Sequence, residues 1–291
     1  MQIGVIIKKL RIDKKIQSNT LYQNLLSRPA IAKFESGESD TTVVKFMIIL
    51  DRLNISLEEF EVAYRMNSTK NIMEIYSPGA YKKAFYARDV PELYYLSRMS
   101  MQKYEKTKLV KYQHNSAVIN LLISVIENTS DIMEDRELLQ NYLSKCEYWS
   151  YYEITLFTNT LSFYSNEFID VTYKHVKRVL ISYQGLVRYK NELALLLFNI
   201  LQLKITTNQF TSLNYYLNEL IVLKDECIDN MYVQTIICFF TLLMEVIKGN
   251  KNNIAELYKI IDIFEYLEMQ FKADQCRKLL THVINHSSIK T

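Results

Sequence analysis

Glycine and proline are scarce in this chain, which has only 5 Gly and 3 Pro among its 291 residues. A protein made of many short strands needs tight turns, and these two residue types supply most of them. Their scarcity argues against a β-sandwich or barrel and favours long helices. Because 49% of the residues are hydrophobic, such helices can bury a substantial core. The sequence therefore predicts an all-α fold.

The chain also lacks the cysteine patterns and apolar runs of exported or membrane proteins. Its 4 cysteines show no CxxC spacing and lie in helical, mostly apolar contexts, so we interpret them as reduced core thiols. The apolar run before Lys8 is too short for a secretory signal, and no later run reaches the ~20 residues of a membrane span. We expect a cytoplasmic protein with no membrane partner.

Catalytic motifs are absent as well, because the chain has no GxGxxG, P-loop, HExxH or GxSxG sequence. His282 and His286 lie one helical turn apart and close in sequence to Cys276, but without a nearby carboxylate or CxxC pair. No metal site is predicted there. These absences argue against an enzyme and against any cofactor.

What the chain does have is an uneven distribution of charge. The formal net charge is only +3, but residues 1–34 contain seven Lys and Arg against one Asp, whereas residues 35–66 contain three basic side chains against seven acidic ones. Nucleic-acid-binding proteins concentrate basic side chains on one face. One face of the N-terminal region is therefore a candidate for contact with phosphates.

The stretch from Ser27 to Gly37 reads as a short helix with both of its ends specified. Ser27 is a good N-cap, the following proline falls in the first helical turn, and Gly37 supplies the left-handed residue that ends the helix. Apolar periodicity predicts five short helices over residues 1–66, with a turn between the second and the third. This arrangement is typical of a small helix-turn-helix domain, in which the third helix enters the major groove.

Three segments of this region resemble one family closely. They are Leu10-Arg11, the run Ile31 to Ser39 (IAKFESGES) and the run Leu50 to Phe60 (LDRLNISLEEF). Together they resemble the start of Rgg/GadR/MutR-type regulators of Gram-positive bacteria. The resemblance implies a transcription regulator that combines this DNA reader with a helical-repeat domain that senses a peptide.

The resemblance also implies a role for the arginine of the first helix. Arg11 could contact phosphate, but in similar domains this arginine pairs with the glutamate before the closing glycine, which is Glu35 here. The glutamine with which the family's second helix touches phosphate has no clear counterpart, so Ser18 or Thr20 would have to supply that contact.

The third helix provides the other DNA-binding candidates. Arginine can form a fork with guanine, and lysine can reach a base or a phosphate. The alternative is that both side chains are merely solvated on an exposed face. Two such domains in a homodimer would occupy successive major grooves at an inverted repeat. The predicted DNA-binding residues are Ser18, Thr20, Ser27, Arg28, Ala30 and Lys33.

Breaking residues place a linker at 67–80, and helical periodicity fills residues 81–291. The pattern predicts a tetratricopeptide-like solenoid of paired antiparallel helices, whose last helices would form the dimer contact. The predicted helices cover residues 89–105, 108–127, 135–146, 150–164, 168–180, 191–204, 209–224, 231–248, 253–270 and 272–285.

A polar residue recurs in this region at the centre of an apolar motif. Asn120, Asn159, Asn199 and Thr241 are 39, 40 and 42 residues apart. A buried amide needs a partner, so these residues either tie neighbouring helices together or line a groove in which they bind the backbone of an extended peptide. Arg188, with Lys190, could bind an acidic side chain or the terminal carboxylate of that peptide, or could belong to a solvated loop.

These observations predict a cytoplasmic, homodimeric transcription regulator that binds double-stranded DNA. Its repeat domain would bind a short hydrophobic signalling peptide of the quorum-sensing type. The predicted peptide-binding residues are Asn120, Asn159, Asn199, Arg188 and Thr241. The alternative is a helical-repeat protein-binding scaffold whose helix-turn-helix domain no longer functions, which the small net charge and the missing glutamine favour.

Overall fold

The computed structural model describes residues 2–67, 78–129, 133–183 and 187–287. Throughout these ranges the regular secondary structure is helical, which confirms the predicted all-α fold. The contacts divide the chain into two compact units, Met1–Ser77 and Pro78–Thr291. None of the described helices combines the length and the hydropathy that a membrane crossing requires.

The first unit contains the five predicted helices. Ten hydrophobic side chains, drawn from all five helices and the turns between them, form its core, and each is at most 9% exposed. The helices are α1 (Ile3–Asp13), α2 (Ser18–Leu21), α3 (Arg28–Ser36), α4 (Val43–Arg52) and α5 (Leu57–Asn67).

Two glycines allow the first unit to pack tightly around α3. A Cβ added to Gly4 would lie 1.8 Å from the backbone oxygen of Phe34, so α1 and α3 can approach this closely only because residue 4 has no side chain. Gly37 ends α3 with φ +83°, the left-handed conformation predicted for it. Ser27 holds the predicted N-cap position, but its side chain makes no capping hydrogen bond.

A charged pair joins α1 to α3, as predicted. Arg11 donates from Nε and Nη2 to the two carboxylate oxygens of Glu35 at 2.7 and 2.9 Å, and Tyr22 Oη donates to Oε1 at 2.8 Å. Burial acts to raise the pKa of Glu35, but the hydrogen bonds from Arg11 and Tyr22 outweigh it and hold the pKa below its usual value. Arg11 is therefore committed to the scaffold of the first unit.

The second unit contains the ten predicted helices and one that the sequence did not indicate. The additional helix, α6 (Pro78–Tyr86), begins within the residues assigned to the linker. The others are α7 (Val90–Thr107), α8 (Val110–Glu127), α9 (Met133–Lys145), α10 (Tyr151–Thr160), α11 (Asn166–Ser182), α12 (Val187–Thr206), α13 (Leu213–Glu226), α14 (Met231–Ile247), α15 (Ile254–Tyr266) and α16 (Gln270–Ser287).

Consecutive helices of this unit pack mostly on one another, from α6 on α7 to α15 on α16, around one continuous apolar core. Additional contacts of α12 with α10, α14 and α16 place α12 at the centre of the array. Two of the four cysteines, Cys227 and Cys276, are buried, whereas Cys146 is half-buried and Cys238 is exposed. The prediction of core thiols is therefore wrong for Cys238.

Buried polar groups between α11, α12 and α13 are paired. Lys204 is 1% exposed and its Nζ lies 2.8 Å from Oδ1 of Asp170, which also accepts a hydrogen bond of 2.5 Å from Tyr216. One turn further along α11, Tyr173 donates to Glu219 at 3.1 Å, and Lys177 Nζ lies 2.6 Å from the same carboxylate. Loss of Asp170 would leave the buried charge of Lys204 without an acidic partner, so this pair holds α11 and α12 side by side.

We expect Arg11→Met to destabilise the first unit by about 3 kcal/mol, because the Glu35 carboxylate would stay buried without its cation. Trp149 is the only tryptophan and lies in the second unit, so its fluorescence monitors that unit, while far-UV circular dichroism monitors both. Urea denaturation should show an earlier circular-dichroism transition with an unchanged fluorescence midpoint. The control is Arg65→Met, which removes an exposed pair with Glu61 and should change neither signal measurably.

Candidate functional site

The turn between α2 and α3 is held by a side chain from α4. Arg52 Nη1 donates to the backbone oxygens of Leu21 and Gln23, both at 2.8 Å. These carbonyls lie at and just after the C-terminus of α2, where a helix presents unpaired acceptors and a negative dipole end. Arg52 thus fixes the entry to α3. No role was predicted for Arg52 from the sequence.

One side of α3 is open to solvent. Ile31, Phe34 and Glu35 face the core of the first unit, whereas Arg28 and Lys33 are exposed. Neither basic side chain forms an ion pair among the described residues. The exposed side of α3 therefore offers two free cations on a rigid helix.

Ala30 is less open to solvent than Arg28 and Lys33, because it is half-buried on α3. Contact of Ala30 with DNA stays a prediction. Two further residues of α3, Ala32 and Ser36, are exposed.

The remaining predicted DNA-binding residues lie at the starts of the two short helices. Ser18 is the first residue of α2 and is half-buried, and Thr20 is exposed on the same helix. Ser27 is exposed immediately before α3. A hydroxyl or backbone N–H at a helix start can bind a phosphate, so DNA contact by these three residues stays a prediction.

The second unit contains a cavity of about 420 Å³, which falls in the size range of small-ligand sites. It is open to solvent and lies between α6, α8, α10, α12, α14 and α16. More than half of its lining residues are aliphatic or aromatic, and the others, apart from two lysines, are neutral and polar. Its lining includes Tyr81, Lys82, Thr158, Asn159, Asn199, Tyr232, Phe271, Lys272 and Gln275.

Asn159 and Asn199 both line this cavity from successive repeats. Asn159 Nδ2 donates to the hydroxyl of Tyr81 at 3.0 Å, and Asn199 Nδ2 makes a long contact of 3.4 Å with the backbone oxygen of Thr158. The amide oxygens of both residues accept no hydrogen bond within the described chain. Each half-buried amide therefore keeps hydrogen-bonding capacity that a peptide backbone could use.

The structure does not bring Asn120 or Thr241 to the cavity. Asn120 accepts a hydrogen bond from Ser97 at 2.6 Å and donates to Asp135 at 2.9 Å, so it ties α7, α8 and α9 together. Thr241 is exposed and donates to the backbone of its own helix at Ile237. The same sequence pattern thus places Asn159 and Asn199 in the cavity wall, and Asn120 and Thr241 away from it.

The two basic residues before the Asn199 motif lie in a helix rather than in the loop that the sequence suggested. Helix α12 begins at Val187, and the side chain of Arg188 lies outside the described residues. Lys190 Nζ lies 3.2 Å from a carboxylate oxygen of Glu226 and does not line the cavity. Lys190 therefore has a structural partner.

Two other lysines line the cavity instead. Lys82 belongs to α6 and Lys272 to α16, and no Asp or Glu of the described chain is part of the lining. Beside them, the rings of Tyr86 and Phe271 are 4.7 Å apart and join the first helix of the unit to its last. Neither lysine was predicted from the sequence to line a binding site, because α6 was not predicted and α16 carries no distinctive motif.

A carboxylate is buried close to this cavity. Glu192 is 5% exposed and accepts a hydrogen bond from Tyr151 at 3.3 Å, while its Oε1 has no hydrogen-bond partner. Burial raises the pKa of Glu192 above its usual value, against the opposing charge of Lys82 and hydrogen bonds from Thr158 and Tyr151. Glu192 therefore keeps its proton to higher pH than an exposed glutamate does.

The two histidines of α16 are engaged within the second unit. His282 and His286 stack on each other, and His282 contacts Asn208 at 3.1 Å. Within the described ranges, no group of three or more His, Cys, Asp and Glu side chains has an arrangement suited to a metal ion.

Residues 96–278 match a family model described as the C-terminal domain of the HTH-type transcriptional regulator Rgg. Among solved structures, the chain is similar to a candidate transcriptional regulator from Listeria monocytogenes EGD-e, with a TM-score of 0.82 and 20% identity over 98% of both chains.

Two further structures are similar over nearly their whole length. One is the SHP pheromone receptor Rgg2 of Streptococcus dysgalactiae, with a TM-score of 0.73 and 23% identity over 96% of this chain and 99% of the other. The second is a bacterial peptide pheromone/receptor complex, with a TM-score of 0.70 and 18% identity over 97% and 98%. At these identities the similarity shows a shared fold.

The buried Glu192 should make the stability of the second unit depend on pH. Because its pKa is raised in the folded protein, the folded state keeps the proton to higher pH than the unfolded chain, so stability falls as pH rises above about 4.5. We expect Glu192→Gln to raise the urea midpoint of Trp149 fluorescence at pH 7, with the difference shrinking towards about pH 4. Glu256→Gln, at an exposed site, is the control. An equal difference at both pH values would contradict the assignment.

Proposed function

Because the chain belongs to the family of Rgg-type HTH transcriptional regulators, we propose that its first unit binds double-stranded DNA and that its second unit senses a short apolar peptide. The observation that carries the proposal is the cavity in which Asn159 and Asn199, two members of one sequence repeat, present half-satisfied amides beside apolar walls. Peptide binding there would control the DNA readers.

The proposed division of labour follows the predicted domains. Residues 1–66 form the DNA-binding domain, residues 67–80 connect it, and residues 81–291 bind peptide and form the homodimer. The boundary between the compact units falls between Ser77 and Pro78, which supports a boundary inside the proposed connection. The first three residues of α6 also fall within that connection.

DNA binding is supported by the first unit itself. The α1–α3 contact, the pair of Arg11 with Glu35 and the contact of Arg52 with the turn hold α3 rigidly, while Arg28 and Lys33 remain exposed and unpaired. A rigid helix with free basic side chains suits the major groove. The predicted contacts with the phosphates on either side come from Ser18, Thr20 and Ser27.

Peptide sensing is supported by the chemistry of the cavity. Peptide backbones carry one donor and one acceptor per residue, and an amide side chain can bind both without selecting a side chain. The apolar walls would then select hydrophobic side chains. The structurally similar Rgg2 is a pheromone receptor, and the other similar structure joins a receptor to a peptide pheromone. By analogy with these receptors, we propose that the peptide is a quorum-sensing signal.

We propose a homodimer because an isolated reader has few side chains with which to specify bases. Two copies of α3 about 34 Å apart would recognise an inverted repeat in successive turns of the duplex. Peptide binding would change DNA affinity only if it favoured one spacing of the readers over another.

DNA binding is tested by selection from a library of random duplexes. We expect the full chain to enrich an inverted repeat, and Arg28→Ala or Lys33→Ala to weaken binding to it by about 1–3 kcal/mol, with a shallower salt dependence. Arg65→Ala, at an exposed residue of α5 paired with Glu61, should leave affinity unchanged. Failure of the chain to enrich any sequence would favour the scaffold alternative.

Peptide binding is tested with an equimolar pool of synthetic octapeptides built from randomised apolar residues. Bound peptides are recovered by gel filtration and identified by mass spectrometry. We expect Asn159→Leu and Asn199→Leu each to weaken binding of the enriched peptides about tenfold, because each removes hydrogen bonds to the peptide backbone.

Asn120→Leu is the matched control, since it changes the same position of the repeat away from the cavity. It should lower the stability of the second unit, because Asp135 and Ser97 lose their partner, and should leave peptide affinity unchanged. Equal peptide affinity in the Asn159 and Asn199 variants and the unmodified protein would exclude the amides from the site.

A further inference from the structure

The cavity of the second unit carries positive charge from two helices. Lys82, from α6, and Lys272, from α16, line it, and its other polar lining residues are neutral. The two lysines are 190 positions apart in sequence, so only the fold brings them to one cavity. Two cations in one largely apolar cavity favour an anionic ligand group.

Lys272 is held in an environment that suits a carboxylate better than water. It is half-buried, its ammonium donates to Gln275, and it lies 5.8 Å from the centre of the Tyr232 ring. Burial lowers the pKa of Lys272 because water is removed from the charged group. Among the described residues, no carboxylate lies within ion-pair distance of it.

Three other buried or half-buried lysines of the second unit have acidic partners. Lys204 pairs with Asp170, Lys190 with Glu226 and Lys177 with Glu219, at distances of 2.8, 3.2 and 2.6 Å. Removing an ammonium from water is costly unless an anion replaces the lost hydration. Lys272 lacks such an anion, and it lies in the wall of the cavity.

Lys82 likewise lacks an ion pair among the described residues. Its charge favours the ionised form of Glu192, but burial outweighs that influence and favours the neutral form of the carboxyl. Glu192 is not part of the cavity lining. The ammonium of Lys82 can therefore donate hydrogen bonds to a ligand group that enters the cavity.

We propose that Lys82 and Lys272 together bind a carboxylate of the peptide, and that this contact joins α6 to α16. The inference rests on the proposed peptide-sensing function and specifies the chemistry of the ligand. The carboxylate is either the peptide's C-terminus or an acidic side chain. Each ammonium carries three donors and can reach one carboxylate oxygen without a fixed geometry.

This contact has a consequence for the connection between the units. Helix α6 is the first element after the segment that joins the DNA-binding unit to the repeats. In the structure its contact with α16 includes the aromatic pair of Tyr86 and Phe271 at the cavity. A carboxylate bound by both lysines adds a charged contact between the same two helices. Peptide binding would therefore favour conformations in which α6 lies against α16 over conformations in which the two helices are apart.

The test uses the full chain and a defined probe. A pool of randomised apolar octapeptides is prepared in three forms: with a free C-terminal carboxylate, with a C-terminal amide, and with a C-terminal amide plus one internal glutamate. The three forms are mixed in equal amounts, and bound peptides are recovered and identified by mass spectrometry. The variants are Lys82→Met and Lys272→Met, singly and together, which remove the charge and nearly keep the length of the side chain.

We expect the unmodified protein to enrich peptides with a carboxylate at least about tenfold over the amides, the difference expected for one charge-assisted hydrogen bond. The comparison of the first and third forms shows whether the carboxylate is terminal or internal. Each single variant should reduce the preference, and the double variant should abolish it while still binding peptides. The control is Lys259→Met, at an exposed residue of α15 that pairs with Glu256, and it should behave as the unmodified protein.

The outcomes separate the two proposals. If the unmodified protein retains no peptide at all, peptide sensing at this cavity is wrong and the carboxylate site falls with it. If it enriches amides and carboxylates equally, or if the double variant keeps the preference, the lysine site alone is overturned. Trp149 fluorescence melts of every variant identify any loss of binding that comes from unfolding of the second unit.

Discussion

A buried polar group needs a partner, and this constraint governs both units of the molecule. In the first unit it joins α1 to α3 through Arg11 and Glu35. In the second unit it orders the solenoid through pairs such as Lys204 with Asp170. Because most buried polar groups have a partner, a buried group that lacks one can indicate a site where a ligand binds. Within the described structure Lys272 donates to Gln275 but has no acidic partner for its charge, and Glu192 Oε1 has no hydrogen-bond partner. Both residues lie at or beside the cavity.

Not every departure marks a site. Thr41 Oγ1 and His175 Nε2 are also buried without a partner, yet neither residue lines the cavity. An unsatisfied hydroxyl or neutral ring nitrogen costs far less than an unpaired charge. The inference of a ligand therefore rests on the lysines, whose charge makes the missing partner expensive, and on their position in one cavity.

Most of the fold followed from the sequence because apolar periodicity reports which face of a helix is buried. Ten predicted helices of the second region correspond to α7–α16, with ends that differ by a few residues. Helix α6 was missed because Pro78 and Gly79 read as a break, whereas proline in the first turn of a helix costs no hydrogen bond. The pairing of Arg11 with Glu35 was predicted only through the family resemblance.

The residues of the candidate sites were predicted less completely from the sequence than the helices were. The physical reason differs from residue to residue. Asn159 and Asn199 were identified because an amide in an apolar helix is conspicuous in the sequence. The same pattern also selected Asn120, since a sequence cannot show that its partners on α7 and α9 lie within reach of it. Lys82 and Lys272 could not be paired, because nothing local relates the first helix of a solenoid to its last.

The position of the cavity constrains how a peptide can act on the readers. A ligand shifts a conformational equilibrium only by the difference in its affinity for the two states. Contacts with Asn159 and Asn199 join α10 and α12, which are packed against each other already, although Asn159 also donates to Tyr81 of α6. Contacts that also involve α6 depend on where that helix lies. About 1.5–3 kcal/mol for a charged hydrogen bond corresponds to roughly a 10- to 150-fold shift. A carboxylate bound between α6 and α16 is thus sufficient in magnitude to couple the proposed peptide binding to the segment that leads to the first unit.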